Sequence, residues 1–223
     1  MFAVIFEVQP RPEQWENYLG TAKMLRPELE AVEGFVDNVR YRSLMREGLL
    51  LSLSSWRDEK ALIRWRTLGP HHEAQEKGRT KILKDYHLRV GQVTLDTKLP
   101  EGHVLSEQRF DETETGEATS VTLITASWGS DLTKSAEPED IGRYLGLDLK
   151  ARGLVGWDVF DAVLTPGDLI LLLSWQDNAV AKDHAEKVKL PGNARLRRVR
   201  VIRDYGMFDR REAPQYYPDV ARG

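Results

Sequence analysis

The stretch LLLSLSSWRDEKA at residues 49–61 decides the fold, because a related stretch, DLILLLSWQDNAV, stands at residues 168–180. In both, an aliphatic run ends in a Ser-Trp-x-Asp sequence. The offset of 119 residues, from Trp56 to Trp175, pairs identical residues elsewhere without a gap: Gly34 with Gly153, Gly48 with Gly167, and Asp85-Tyr86 with Asp204-Tyr205. A self-similarity that keeps one register over such a distance predicts an internal duplication.

The duplication predicts two copies of one unit and two further segments. The first copy takes residues 1–95, and the second takes residues 119–210. Residues 96–118 between them are acidic, rich in threonine and poor in aliphatic side chains, which is typical of a linker. Residues 211–223 form a C-terminal tail, which we expect to pack on the outside of the fold through its two tyrosines.

Within the first copy, the spacing of apolar residues alternates between the period of a strand and that of a helix. The predicted order is β-α-β-β-α-β, with strands at Phe2–Val8, Phe35–Leu44, Leu49–Trp56 and Ile82–Val93, and helices at Glu13–Val32 and from Asp58 to about Lys77. Gly48 lies between the two central strands, which indicates a hairpin. Asp58 is a favourable N-cap for the second helix.

The predicted fold class is therefore α+β. The order β-α-β-β-α-β is the ferredoxin-like unit, in which an antiparallel sheet carries helices on one face and leaves the other face open. Two such sheets can cover each other. We therefore expect two ferredoxin-like repeats to form an intramolecular pseudo-dimer, the single-chain form of a dimeric α+β barrel. The formation of further homo-oligomers through other surfaces is an open alternative.

Composition and charge exclude several classes of protein. The chain has 32 Lys and Arg against 35 Asp and Glu, a formal net charge of −3, so it has no cationic surplus for nucleic acid or an anionic membrane. It has no cysteine, which excludes disulfides and thiolate chemistry. The opening MFAVIFEVQP lacks the basic region of a secretory signal, and no aliphatic run approaches a membrane span. We expect a cytoplasmic protein.

The second half of the first copy carries a family resemblance. The run Trp56-Arg-Asp-Glu-Lys-Ala61 is followed by Trp65, by His72-Glu-Ala-Gln-Glu-Lys-Gly-Arg79 and by Asp85-Tyr86. This order resembles the antibiotic biosynthesis monooxygenase domain of the dimeric α+β barrel superfamily. The second copy has Leu190-Pro191-Gly192 in place of the His-Glu-Ala-Gln segment, so it looks like a degenerate copy.

The resemblance implies a cofactor-independent monooxygenase. Such oxygenases of the family remove a proton from a small aromatic or polyketide-like substrate, whose carbanion passes an electron to dioxygen. The pocket tryptophan of the family corresponds to Trp56, and the asparagine four residues before it corresponds to Ser52. We expect a small-molecule substrate and neither an organic cofactor nor a metal. The alternatives are a non-catalytic ligand-binding or regulatory protein and a heme-binding or heme-degrading protein.

Strand alternation indicates which copy holds the substrate pocket. Ser52, Ser54 and Trp56 share one face of their strand. The corresponding residues of the second copy are Leu171, Leu173 and Trp175. Replacing two serines by two leucines predicts a partly polar cavity in the first copy and a filled space in the second. The alternatives are that both serines are small residues against a helix and that both tryptophans are core anchors.

His72 is the predicted general base, because the second copy lacks its segment and histidine titrates near neutral pH. An exposed histidine at a helix start is the alternative. Trp65 is predicted to form a wall of the cavity, since the second copy does not keep it. Arg40 is a candidate for binding an anionic substrate group, with a solvated charge on a strand as the alternative. Tyr86 is the last substrate-binding candidate, although its recurrence as Tyr205 favours a structural role.

The duplication predicts how a fragment behaves. Residues 1–95 alone expose the sheet face that the second copy covers, so we expect this fragment to dimerise or to be insoluble. Light scattering of the purified fragment measures its mass. A stable, soluble monomer would contradict the proposed pairing of the two sheets.

Overall fold

The computed structural model describes residues 1–129 and 135–221. The strands of this part are β1 (Phe2–Pro10), β2 (Phe35–Ser43), β3 (Leu50–Trp56), β4 (Leu83–Asp96), β5 (Ser120–Ser127), β6 (Leu154–Ala162), β7 (Asp168–Trp175) and β8 (Arg195–Gly206). Its α-helices are α1 (Trp15–Glu30), α2 (Glu59–Thr67), α3 (Gly69–Lys77), α4 (Pro138–Tyr144) and α5 (Asn178–Lys187). A π-helical turn, Gly78–Ile82, joins α3 to β4.

The eight strands form one closed antiparallel barrel in the order β1-β3-β2-β6-β7-β5-β8-β4. The four strands before residue 97 therefore lie in the order β4-β1-β3-β2, and the four after residue 119 lie in the equivalent order β8-β5-β7-β6. Two seams, β4 with β8 and β2 with β6, join these sets. The prediction of an α+β fold with an antiparallel barrel is confirmed, while the domain boundaries stay a prediction.

Two glycines paired by the 119-residue offset have the same conformation. Gly34 has φ +91° and Gly153 has φ +76°, a backbone region that side chains disfavour. A Cβ on Gly34 would lie 2.7 Å from the Ala61 Cβ, and one on Gly153 would lie 2.9 Å from Val180 Cγ2. Both glycines thus let the chain pass close to the helix that follows the Trp-x-Asp sequence.

Alternation along β3 separates two layers of the core. Leu51 and Leu53 point into the barrel, where they join apolar residues from both strand sets. Trp56 points outward, where it packs with Phe2 and Leu62 under the helices. The side chains of β3 that face the helices, including both predicted pocket serines, therefore lie outside the barrel.

Charged residues inside one end of the barrel link the two strand sets. Arg89 Nη2 lies 2.6 Å from Glu7 Oε2, and its Nη1 donates to Ser174 Oγ at 2.8 Å. Arg46 Nη2 contacts Glu7 at 2.6 Å and Asp158 at 2.7 Å. Burial raises the pKa of Glu7, but the neighbouring cations outweigh it and hold that pKa well below its usual range. These charges are paired, so they specify how the two sets meet.

The segment between the strand sets packs on the barrel, and so does the tail, which in the structure comprises residues 207–221 after β8. Residues 97–119 contain no helix or strand, and Leu99 and Leu105 cover one end of the barrel core. In the tail, Tyr217 is buried as we expect, whereas Tyr216 is 90% exposed, so the prediction is wrong for Tyr216. Tyr216 lies on the outer side of a tail that contacts the protein through its neighbour. Among the helices described, none is both long and apolar enough to cross a membrane.

Stability should depend on the ionisation of His87, on β4. Burial and the neighbouring Arg89 lower the pKa of His87, but hydrogen bonds to Asp204 and Glu7 outweigh them and raise this pKa to about 9. The Asp204 Oδ1 lies 2.6 Å from His87 Nε2. Because the folded pKa is raised, the stabilisation is complete below about pH 6.5 and is lost as pH rises through 9. Solvent screening at a side chain that is 45% exposed reduces the loss to about 1 kcal/mol.

Urea unfolding at pH 6.5 and at pH 9.5 measures this loss. The variant His87→Gln should lose less stability than the wild type between these pH values, because it has no proton to release. An equal loss in both proteins would show that another group titrates and that the His87 contacts carry no stability.

A candidate active site between the first sheet and its helices

A cavity of about 240 Å³ lies outside the barrel, between the first four strands and α1, α2 and α3. The π-helical turn and the C-terminal tail complete its wall. Its surface is mostly apolar. Of the residues that the sequence analysis selects, those on the wall are Arg40, Ser52, Ser54, Trp65 and Tyr86. The cavity therefore lies on the strand face where the exchange of serines for leucines predicts it.

Two serine hydroxyls and one asparagine form a polar patch on the sheet side of the cavity. Asn38 on β2 is opposite Ser54 in the strand pairing, and its Nδ2 donates to Ser52 Oγ at 3.0 Å and to Leu53 O at 3.2 Å. Trp56 Nε1 donates to Ser54 Oγ at 2.9 Å. Both serine oxygens accept a hydrogen bond, so both hydroxyl protons are available to a ligand.

The structure places Trp56 outside the cavity, because it is completely buried and does not border it, and its substrate-binding role stays a prediction. Its ring packs edge-on against Phe35, with ring centroids 5.4 Å apart. It acts on the cavity only through the hydrogen bond to Ser54. The core-anchor alternative describes its position, since a large aromatic residue at the base of a helix layer fills the core.

The corresponding space in the second strand set is filled by side chains. Leu171 and Leu173 are fully buried and pack with Trp175 and Ala181 of α5. At the position equivalent to Trp65, the His184 ring lies tilted against Trp175, with ring centroids 4.7 Å apart. The leucines and this ring pair take the volume that the first set leaves open.

His71 is the histidine that borders the cavity. Its ring stacks on Trp65, with centroids 4.0 Å apart, and its Nδ1 lies 3.0 Å from the Trp65 carbonyl oxygen. That oxygen can only accept, whereas Gln75 Nε2, 3.1 Å from Nδ1 and 3.5 Å from the His71 Nε2, can only donate. The tautomer with the proton on Nδ1 satisfies the carbonyl oxygen and leaves the lone pair on Nε2. Burial lowers the pKa of His71 to about 4, so the ring is neutral at pH 7 and can accept a proton at Nε2.

The structure places His72 outside the cavity, contrary to its predicted role as general base. Adjacent helix residues point about 100° apart, so only one of the two histidines can face inward. The exposed His72 meets the tail, where its Nδ1 lies 3.0 Å from the Tyr217 hydroxyl. That hydroxyl also donates to Gln75 Oε1 at 2.9 Å. His72 therefore holds the tail in place.

Arginines give the cavity a positive potential. Arg40, Arg66, Arg79 and Arg210 border it, and in the described part of the chain no Asp or Glu does. The Nε atoms of Arg40 and Arg66 are buried without a hydrogen-bond partner. Arg40 approaches the Tyr18 hydroxyl on α1, so it is a cavity residue and not a solvated strand charge.

The sequence analysis missed Asn38, His71, Arg79 and Arg210. Asn38 carried the signal of a polar residue one strand away from the serines, but its opposition to Ser54 depends on the hairpin register. The position of Arg210 carried no such signal, because Arg210 reaches the site only through the path of the tail.

A second, polar cavity of about 250 Å³ lies at a mouth of the barrel and includes Tyr41 and Arg197. Within the residues described, no His, Asp and Glu cluster is arranged to hold a metal.

A mostly apolar side cavity with a few polar groups on its wall is typical of proteins that bind small molecules. A family model, antibiotic biosynthesis monooxygenase, matches residues 1–77. A protein of Pyricularia oryzae named jasmonate monooxygenase ABM is 48% identical over an alignment of 226 positions, which covers 99% of this chain and 100% of that protein. The chain belongs to the antibiotic biosynthesis monooxygenase family.

Two solved structures are similar to the chain at low sequence identity. An aldoxime dehydratase in complex with butyraldoxime has a TM-score of 0.53 and 12% identity, over 90% of this chain and 79% of the dehydratase. An anthrone oxidase-like protein has a TM-score of 0.34 and 11% identity, over 96% of each chain. At such identity, the dehydratase shows a common fold and says nothing about the reaction.

The contacts of His72 predict that it protects the tail from proteolysis. The substitution His72→Ala removes its bond to Tyr217, a loss of about 1 kcal/mol, so trypsin should cleave after the tail residues Arg210 and Arg211 about fivefold faster. Mass spectrometry of timed digests measures the rate. The matched control is His103→Ala, which removes a partly exposed histidine from the segment before β5. Equal cleavage rates in the two variants would show that His72 does not hold the tail.

Proposed function

We propose that the protein is a monooxygenase that oxidises a small, mostly apolar molecule in the cavity of its first strand set. The observation that carries this proposal is the presence of a neutral His71 and two serine hydroxyls on the wall of one cavity. The family model covers these three residues. Jasmonate is the proposed substrate, because the relative with 48% identity is named for it.

We further propose that residues 1–95 and 119–210 are two ferredoxin-like repeats with different tasks. The equivalent strand orders and the shared glycine conformations support a duplication. In this proposal the first repeat keeps the substrate site, while Leu171 and Leu173 have filled the second. The second repeat then serves to close the barrel and to supply the tail.

The proposed chemistry begins with proton removal from a carbon next to a carbonyl group of the substrate. The Nε2 atom of His71 accepts the proton. The hydroxyl protons of Ser52 and Ser54 stabilise the negative charge that develops on the carbonyl oxygen. In the full reaction a methylene becomes a carbonyl: two C–H bonds break, one atom of dioxygen forms the new C=O, and the other leaves as water. The substrate supplies all four electrons.

The electron balance of this reaction needs no resident organic cofactor. That the protein works without one is the second part of the proposal. Heme is the alternative, and a titration distinguishes the two. If heme bound in the cavity, added heme would give a saturable Soret band that His71→Ala changes. Full oxygenation by protein that carries no heme would support the cofactor-free route.

The test of the proposed function is oxygenation of jasmonic acid under labelled dioxygen. We expect a product that has gained one labelled oxygen and lost two hydrogens, formed without a reductant and detected by mass spectrometry. A product that gains oxygen without losing hydrogen, and only when a reductant is added, would keep the monooxygenase assignment and remove the cofactor-free route. No labelled product from jasmonic acid, with or without reductant, would refute the proposal.

The role of His71 predicts a large kinetic effect. The substitution His71→Ala should lower the turnover number by about 10²- to 10⁴-fold, the usual contribution of a general base. His103→Ala, which changes a histidine far from the cavity, should leave it unchanged. If His71→Ala folds and keeps at least half of the turnover, His71 is not the base.

A further inference from the structure

One end of the cavity holds two arginines that meet at one tyrosine. Arg79 lies in the π-helical turn, and Arg210 lies in the tail that follows β8. Arg79 Nη1 donates to the Tyr86 hydroxyl at 2.9 Å, and Arg210 Nη1 donates to the same oxygen at 2.6 Å. All three side chains border the cavity.

The charge of these two arginines is not neutralised by the protein. Arg79 is only 4% exposed, and its other hydrogen bonds go to the carbonyl oxygens of Met207 at 3.0 Å and Pro218 at 3.2 Å. Arg210 donates to the carbonyl oxygen of Gln215 at 2.9 Å. Neither arginine forms an ion pair with a carboxylate among the residues described. Removing a cation from water without a counterion is costly, so this end of the cavity favours an anion.

The Tyr86 hydroxyl can donate a hydrogen bond to a ligand. It accepts from both guanidinium groups, which use its lone pairs and leave its own proton free. The ring of Tyr217 covers the pair from the tail side, with its centroid 5.6 Å from the Arg79 Cζ and 5.5 Å from the Arg210 Cζ. A planar anion at this point would receive charge-assisted hydrogen bonds from two guanidinium groups and one from a phenol.

The remainder of the cavity suits an apolar molecule. Away from this end, its wall is formed largely by aliphatic and aromatic side chains, among them Leu25, Leu29, Leu62, Leu88 and Val90. A ligand that matches both parts has one anionic head and an apolar body. The fork of a guanidinium group fits the two oxygens of a carboxylate in particular.

We propose that Arg79, Arg210 and Tyr86 bind the carboxylate of an apolar carboxylic acid and so determine both the orientation and the specificity of the substrate. This inference rests on the proposed function, since it takes the cavity as the substrate site. It makes the tail part of that site, because Arg210 enters from the tail. The acid end of the substrate is then fixed near β4, and the rest extends along the apolar wall.

Binding measurements test the proposal independently of turnover. Isothermal titration gives the Kd of jasmonic acid and of its methyl ester, and of decanoic acid and decan-1-ol, for the whole chain. We expect the wild type to bind each acid at least about tenfold more tightly than its neutral partner. In Arg79→Gln and Arg210→Gln this preference should fall to about twofold or less, while the Kd of the neutral partners stays within about twofold.

Further variants separate recognition from folding. Arg79 also binds two carbonyl oxygens, so Arg79→Gln is accepted only if its circular dichroism and Tm match the wild type. If it fails to fold, Arg210→Gln and Tyr86→Phe decide the question, since the latter keeps the ring and removes only the hydroxyl. The charge-matched control is Arg26→Gln, which removes an exposed arginine from α1 and should keep the preference for acids.

The outcomes separate this inference from the proposed function. An acid preference that depends on Arg210, without oxygenation of any acid, would support the carboxylate site and refute the monooxygenase. Equal affinity of wild type for acid and neutral partner would overturn the carboxylate site even if both are oxygenated. The carboxylate site would also be overturned if every folded variant kept the full preference for acids.

Discussion

The structure depends on the seam between β4 and β8, which is one of the two seams that join the strand sets into a closed barrel. Gly91 lies at this seam so close to the partner strand that a Cβ would stand 2.3 Å from Val199 Cγ1 and 2.4 Å from the Arg200 carbonyl oxygen. Without closure, each strand set would expose two edges and an apolar face. Closure also fixes the direction in which the tail leaves β8, toward α3.

Two buried arginines, Arg89 and Arg79, differ in the groups that surround their charge. Inside the barrel, Arg89 is 3% exposed and meets Glu7, which is also buried, so the charge is balanced within the fold. Beside the cavity, Arg79 is 4% exposed and meets only neutral oxygens. The first arrangement joins the strand sets, whereas the second leaves positive charge for a ligand. Arg89 and Arg79 therefore differ in whether an internal carboxylate balances their charge.

The adjacent residues His71 and His72 of α3 make different contacts. His71 is held by the carbonyl of Trp65 in a neutral form at the cavity wall, and His72 binds the tail through Tyr217. The tail in turn carries Arg210 to Tyr86. Chemistry and closure of the cavity thus meet on α3, which the second strand set does not reproduce. This supports the proposal that the site exists once per chain.

The sequence by itself determined the α+β class, the order of the first strands and helices, the glycines at the tight approaches and the face of β3 that borders the cavity. These follow from local periodicity and from one repeated register. Only the tertiary structure decided that Trp56 is core, that His71 and not His72 faces inward, and that Asn38 lies beside Ser52. The helix rotation, the hairpin register and the path of the tail set these contacts, and each depends on packing between residues distant in the chain.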